Sequence, residues 1–203
     1  MIKTDEDIRK RIMEEAKALF FRFGFTKVTM DEAADSLGMS KKTLYRFFPS
    51  KEDLLQEITR DHLHQCDGEL TSILKQADLD PLEKFKRYMN YVTAIYAKMS
   101  EPLLHDLRKH APEIWQMIEE HRQKCLHNDF GALVKEGRHK GVFRKDVDER
   151  LFILIYSTLL KDVLNPEVLS GLPFKPSQVF DTVMKVLFEG LLTDKARMEY
   201  HAD

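Results

Sequence analysis

The chain is poor in the features that mark several large protein classes. It holds two cysteines in 203 residues, Cys66 and Cys125. Two thiols so far apart cannot form the disulfide framework of a small secreted domain. The first residues, MIKTDEDIRK, lack the apolar core of a signal peptide, and no apolar run reaches membrane-spanning length. A cytoplasmic location is therefore expected. Net charge is only -2, so any affinity for nucleic acid must come from a local patch. There is no P-loop, no dinucleotide glycine motif, no nucleophile elbow and no HExxH, which leaves the main enzyme motifs unrepresented. Acidic pairs such as Glu119-Glu120 sit at adjacent helical positions and diverge by about 100°. No heptad seam, internal repeat, low-complexity segment or strand pattern is evident. The expectation is an all-α protein with no cofactor and no enzymatic activity.

The stretch from 29 to 51, TMDEAADSLGMSKKTLYRFFPSK, carries the strongest local signals. Thr29 is an N-cap with Glu32 at the capping-box position. Ala33, Ala34 and Leu37 supply a small apolar face, and Gly38 provides a left-handed stop. Ser40 opens a second helix, which Pro49 ends near Phe48. Ser50 caps a third, with Asp53 at its box position. Helix, glycine turn, helix is the helix-turn-helix plan, whose second helix enters a DNA major groove. From Gly38 to Lys51 there are four basic residues and no acidic ones. Residues 1–60 as a whole hold 12 Lys and Arg against 11 Asp and Glu. The positive charge is thus concentrated on this segment, as phosphate contact requires.

Gly24-Phe25, Thr29, Ala33-Ala34, Leu37-Gly38-Met39-Ser40, Thr43-Leu44-Tyr45, Phe48 and Ser50-Lys51-Glu52-Asp53-Leu54 together resemble the DNA-binding signature of the tetracycline-repressor-like (TetR) family. The resemblance covers about residues 8 to 55. Lys42 departs from it, standing where the family commonly has glycine and adding a long cation near the groove. The resemblance implies an N-terminal three-helix DNA-binding domain, here 1–50, and a C-terminal helical domain for effector binding and dimerisation, 51–203. It also implies phosphate contacts from Thr29, Tyr45 and Lys51. Lys42 and Thr43, near the recognition-helix N-terminus, are the expected base readers, because lysine donates to guanine and the threonine methyl can meet thymine. Lys41 and Arg46 complete the expected DNA-binding set, while Leu44 and Phe48 should face the core. Lys27 lies close enough to help grip phosphate.

Around this segment the chain reads as helices. Thr4 caps a first one, whose Ile8, Ile12, Ala16, Leu19, Phe20 and Phe23 share a face until Gly24. The helix from Ser50 runs past Leu70 to Leu74, and the resemblance implies that it acts as a lever. Asp80 caps a helix from Pro81 to about Ser100, with Leu82, Phe85, Tyr88, Met89, Val92, Ile95, Tyr96 and Met99 on one broad face. That stripe fits plain core. Buried tyrosine hydroxyls need partners, which also fits a lined cavity. A short helix from Pro102 to Lys109 follows. A longer one runs from Pro112 to about Gly137.

Residues 148–164 and 177–193 are apolar around most of their circumference. Such helices must be buried on most sides, and a second copy of the chain supplies the cover as a four-helix interface. A buried hairpin in a monomer is the alternative.

The ligand-pocket candidates are His62, Cys66, Phe85, Tyr88, Met89, Tyr96, Trp115, His121 and Cys125. The pairs His62/Cys66 and His121/Cys125 are spaced four apart, so each lies on one helix face. These four residues admit three readings: pocket lining, a tetrahedral zinc site, or a redox pair. The first is preferred and no metal is assigned. The expected function is a homodimeric repressor released from a pseudo-palindromic, double-stranded DNA operator by an unknown small molecule, with no membrane partner. A constitutive DNA-organising protein and a helical enzyme with a DNA-binding end are the alternatives.

Overall fold

The computed structural model describes residues 4–98, 101–163, 166–169 and 171–200. About four-fifths of these are helical. The chain packs as two compact units: residues 1–65 with 99–119, and residues 66–98 with 120–203.

In the first unit, α1 (Asp5–Phe23) opens on a complete capping box between Thr4 and Asp7. It buries Ile12, Ala16 and Phe20, and ends at Gly24. The next helix, α2 (Met30–Leu37), has the expected Thr29–Glu32 box and stops at Gly38 in the left-handed region, φ 62°. Ser40 caps α3 (Lys41–Phe47) by accepting from the Thr43 N–H at 3.1 Å. Ser50 accepts from Asp53 N–H at 2.9 Å and opens α4 (Lys51–Lys75). Leu44, Phe48, Leu54, Leu55 and Ile58 close the core beneath α3. Leu103 and Leu107 of α6 (Glu101–His110) join the same core, with Ile114 of α7 (Pro112–Cys125). Each fully buried side chain of this size contributes about 1.5–3 kcal/mol through burial.

The second unit is built from the end of α4, α5 (Pro81–Lys98) and the chain from residue 120 onward. Asp80 caps α5 by accepting from Leu82 and Glu83 N–H at 2.8 and 3.0 Å. The expected single helix from Pro112 to Gly137 is interrupted: α7 gives way to a π-helical turn, Leu126–Phe130, before α8 (Gly131–His139). Phe130 at the end of that turn packs against Phe85, Phe152 and Phe188, an aromatic cluster that sequence spacing alone could not place. The two apolar segments form α9 (Glu149–Val163) and α11 (Pro176–Leu191). Two short helices that the periodicity did not anticipate, α10 (Pro166–Leu169) and α12 (Asp194–Tyr200), flank α11. An isolated antiparallel bridge between Phe143 and Leu192 ties the loop after α8 to the end of α11. Among the described residues there is no other β pairing, and no helix is long and apolar enough to cross a membrane.

Gly137 faces Phe143 so closely that a β-carbon there would lie 2.3 Å from the ring. The bridge therefore requires glycine at this position.

Candidate nucleic-acid interface and effector cavity

The exposed face of α3 presents Lys41, Lys42, Tyr45 and Arg46, while Leu44 points fully inward, as the sequence reading expected. Lys42 is exposed and, among the described residues, has no hydrogen-bond or ion-pair partner. Lys41 pairs with Asp31 on α2, which raises the lysine's affinity for its proton. Arg46 reaches Asp5 at 3.2 Å and lies over the Phe47 ring. Thr43 is half-buried, its hydroxyl 2.8 Å from that of Ser40. Thr29 is occupied by its own cap: both its N–H and its hydroxyl donate to Glu32. Those bonds hold the Glu32 carboxyl below its ordinary range, the backbone donor first.

Lys51 points inward. Its ammonium donates to the carbonyls of Phe25 and Val28 at 2.8 and 2.9 Å and sits 4.2 Å from the centre of the Phe25 ring. Burial lowers its pKa. An ammonium has three donors, and these two carbonyls engage two of them. The loop between α1 and α2 is thereby pinned to α4.

Other ties that hold the helix-turn-helix were not legible in the sequence. Arg11 donates to the carbonyl of Leu37 at 2.7 Å, satisfying the C-terminal end of α2. Arg9 donates to the Phe47 carbonyl at 3.3 Å, pairs with Glu57 at 3.2 Å and stacks over Phe48 at 4.5 Å. Arg9 and Arg11 stand two apart on α1, about 200° round the helix, so no shared face singles them out in the sequence.

The pocket candidates divide. Phe85, Tyr88 and Met89 are buried together in the second unit's core. Phe85 and Met89 also line a cavity of about 290 Å³ with Asn90, Thr93, Met184 and Phe188. Asp181, Lys185 and Glu189 place charged groups along the same cavity. Trp115 does not belong there: it packs against the first unit's core, on the part of α7 that precedes residue 120. The Tyr96 side chain lies outside the described residues.

His62, Cys66, His121 and Cys125 do not meet as one group of four. His62 accepts from Lys17 at 3.3 Å and makes an edge contact with the Phe21 ring, both on α1. Cys66 is buried and hydrogen-bonded with Tyr91. It is Asp67, turned about 100° further round α4, that faces His121 and Cys125. The Asp67 carboxylate lies 2.8 Å from His121 Nε2 and 3.7 Å from Cys125 Sγ. Burial, with Asp129 and Asp67 close by, pushes the Cys125 thiol up to about 12.

Residues 12–58 match the family described as bacterial regulatory proteins, tetR family. Over 143 residues, 69% of each chain, the sequence is 30% identical to the HTH-type transcriptional repressor KstR2 of Mycolicibacterium smegmatis. It is 27% identical to the HTH-type transcriptional regulator YvaF of Bacillus subtilis over 189 residues, 92% of this chain and 96% of that one. The structure of the ketosteroid transcriptional regulator KstR2 of Mycobacterium tuberculosis has the same fold, with a TM-score of 0.61 at 20% identity, covering 95% of this chain and 98% of the other. The chain belongs to the TetR family of helix-turn-helix proteins. It is a DNA-binding transcriptional regulator and not an enzyme.

Proposed function

We propose that this regulator is a repressor that binds a pseudo-palindromic operator as a homodimer and is released by a small, largely apolar molecule. Residues 1–50 read the DNA; residues 51–203 dimerise and take the effector. The observation that carries this reading is the uncovered apolar stripe on the C-terminal helices. Leu151, Leu154 and Ile155 of α9 and Val186 of α11 are 59%, 60%, 51% and 71% exposed in the single chain. Large apolar side chains left exposed on two neighbouring helices mark an interaction surface. A recognition helix of 7 residues reads few base pairs, so two copies about 34 Å apart are needed for a specific site.

Lys42 and Thr43 read bases, and Lys41, Tyr45, Arg46, Lys51 and the Thr29 end of α2 hold phosphates. The cavity between α5 and α11 takes the effector, with Phe85, Met89 and Phe188 against its apolar body. Asn90, Thr93 and the charged rim orient its polar end. The relative named a ketosteroid regulator supports an effector of this character. The protein works in the cytoplasm, where its operator is.

Sedimentation and operator binding test the reading together. A dimer at micromolar concentration is expected, with operator affinity lowered by at least one compound from a panel of sterols and fatty acyl molecules. Leu154→Glu combined with Val186→Glu is expected to give monomers that have lost specific binding. Wild-type protein that stays monomeric both alone and on DNA would overturn it.

A further inference from the structure

A group of metal-ligating side chains stands apart from both the recognition helix and the effector cavity. Asp67 of α4 and His121 and Cys125 of α7 bring a carboxylate oxygen, an imidazole nitrogen and a thiol sulfur within 4.8 Å of one another. All three lie in the second unit. We propose that Asp67, His121 and Cys125 form a three-residue binding site for one zinc ion, with the fourth position left to solvent.

The distances fit. Ligands at zinc bond lengths of about 2.0 Å for oxygen or nitrogen and about 2.3 Å for sulfur, set tetrahedrally, lie about 3.3–3.5 Å apart. Cys125 Sγ is 3.7 Å from the Asp67 oxygen and 3.7 Å from His121 Nε2. The Asp67–His121 separation is 2.8 Å, so the hydrogen bond between them opens by roughly half an ångström as the ion takes its place. The pair is drawn from two helices, and small rotations of both side chains supply that movement.

Charge points the same way. Asp129 faces the same thiol from within the π-helical turn. An i→i+5 turn rotates less per residue than an α-helix, so Asp129 stays on the side of His121 and Cys125 instead of drifting round the helix. The Asp67 carboxylate and the Cys125 thiol converge on one imidazole, with the Asp129 carboxylate beside the thiol. The nearest lysine, Lys124, is 65% exposed and lies 3.8 Å from the outer Asp67 oxygen. Two carboxylates share one largely exposed lysine here, an excess of negative charge that favours a cation. A mixed thiolate, imidazole and carboxylate set selects zinc over magnesium or calcium, which prefer all-oxygen shells. On binding, a Zn–S bond replaces the S–H bond and the proton leaves to solvent. The ion joins α4 to α7 within the second unit. The alternative is that Asp67 and His121 satisfy each other while Cys125 packs as a small hydrophobe.

Equilibrium dialysis of the full-length, untagged, chelator-stripped protein against zinc alone tests the site, with no DNA present, so that its failure leaves the repressor reading untouched. One equivalent is expected for wild type. Cobalt substituted for zinc should give a thiolate-to-metal charge-transfer band. His121→Gln, Cys125→Ser and the near-isosteric Asp67→Asn should each weaken binding at least about tenfold, with circular dichroism confirming that each variant is folded. Less than about a tenth of an equivalent on wild type, a cobalt spectrum without the thiolate band, or unchanged zinc affinity in folded Cys125→Ser protein would overturn the proposal.

Discussion

Asp106 accepts two hydrogen bonds from Thr26, one from its N–H at 2.7 Å and one from its hydroxyl at 2.8 Å, across 80 residues of sequence. A buried carboxylate on α6 thus fixes the loop that leads into the helix-turn-helix. Asp106→Ala is expected to destabilise the protein by about 1–3 kcal/mol, because the Thr26 N–H loses its charged partner. Thr26→Val removes only the hydroxyl and should cost less. Urea denaturation of the two variants checks the order.

Gly38 sits at φ 62° with no atom within 4 Å of where a β-carbon would be. The obstacle to substitution is therefore conformational, not steric contact. Gly38→Ala should cost about 1–2 kcal/mol, and Gly38→Asn less, since asparagine tolerates the left-handed region. Thermal denaturation compares them, and operator affinity at a temperature where both are folded should stay close to wild type.

Lys84 is 5% exposed and pairs with Glu136 at 3.1 Å, joining α5 to α8. Glu136→Ala leaves the ammonium buried without that carboxylate and should destabilise by about 3–5 kcal/mol. Lys84→Met removes the charge together with its desolvation cost, and Glu136 is exposed enough to be solvated and keeps Lys140 nearby at 3.5 Å. It should be the milder change. Equal losses in the two variants, measured by denaturant midpoint, would show that the pair is not what holds these helices.

The Glu32 carboxyl is held below its ordinary range by the Thr29 N–H and then the Thr29 hydroxyl. A depressed carboxyl adds stability above its unfolded pKa, and that contribution is lost as pH falls through the folded value. An NMR titration should place the Glu32 midpoint below that of an unstructured glutamate. In Thr29→Val it should rise only part of the way, because the backbone donor remains.

The two lysines of the DNA-reading segment should behave differently. Lys42 is exposed, so Lys42→Ala should leave thermal stability unchanged and relax preference at one base position, a difference of about 1–3 kcal/mol between bases. Lys51 ties down the Phe25 and Val28 carbonyls. Lys51→Ala should therefore lower the melting temperature as well as weakening binding to all sequences. Selection from a random DNA library, with a melting curve for each variant, separates the two effects.

What the sequence determined by itself is the local structure. Thr4, Thr29, Ser40, Ser50 and Asp80 each bond to an N–H within three residues, so their roles are written in short-range spacing. Gly38 and Pro49 end helices for equally local reasons, and the family signature follows from the same run of residues. Tertiary structure decided what depends on direction and distance. It turned Lys51 towards two carbonyls and put Trp115 against the first unit's core. Asp67, and not Cys66, was set facing His121, because neighbouring helix positions diverge by about 100° and only packing decides which one faces the partner helix. The π-helical turn at Leu126–Phe130 lay beyond the pattern for a related reason. A one-residue change of register leaves composition and periodicity almost untouched, while it re-aims every side chain that follows.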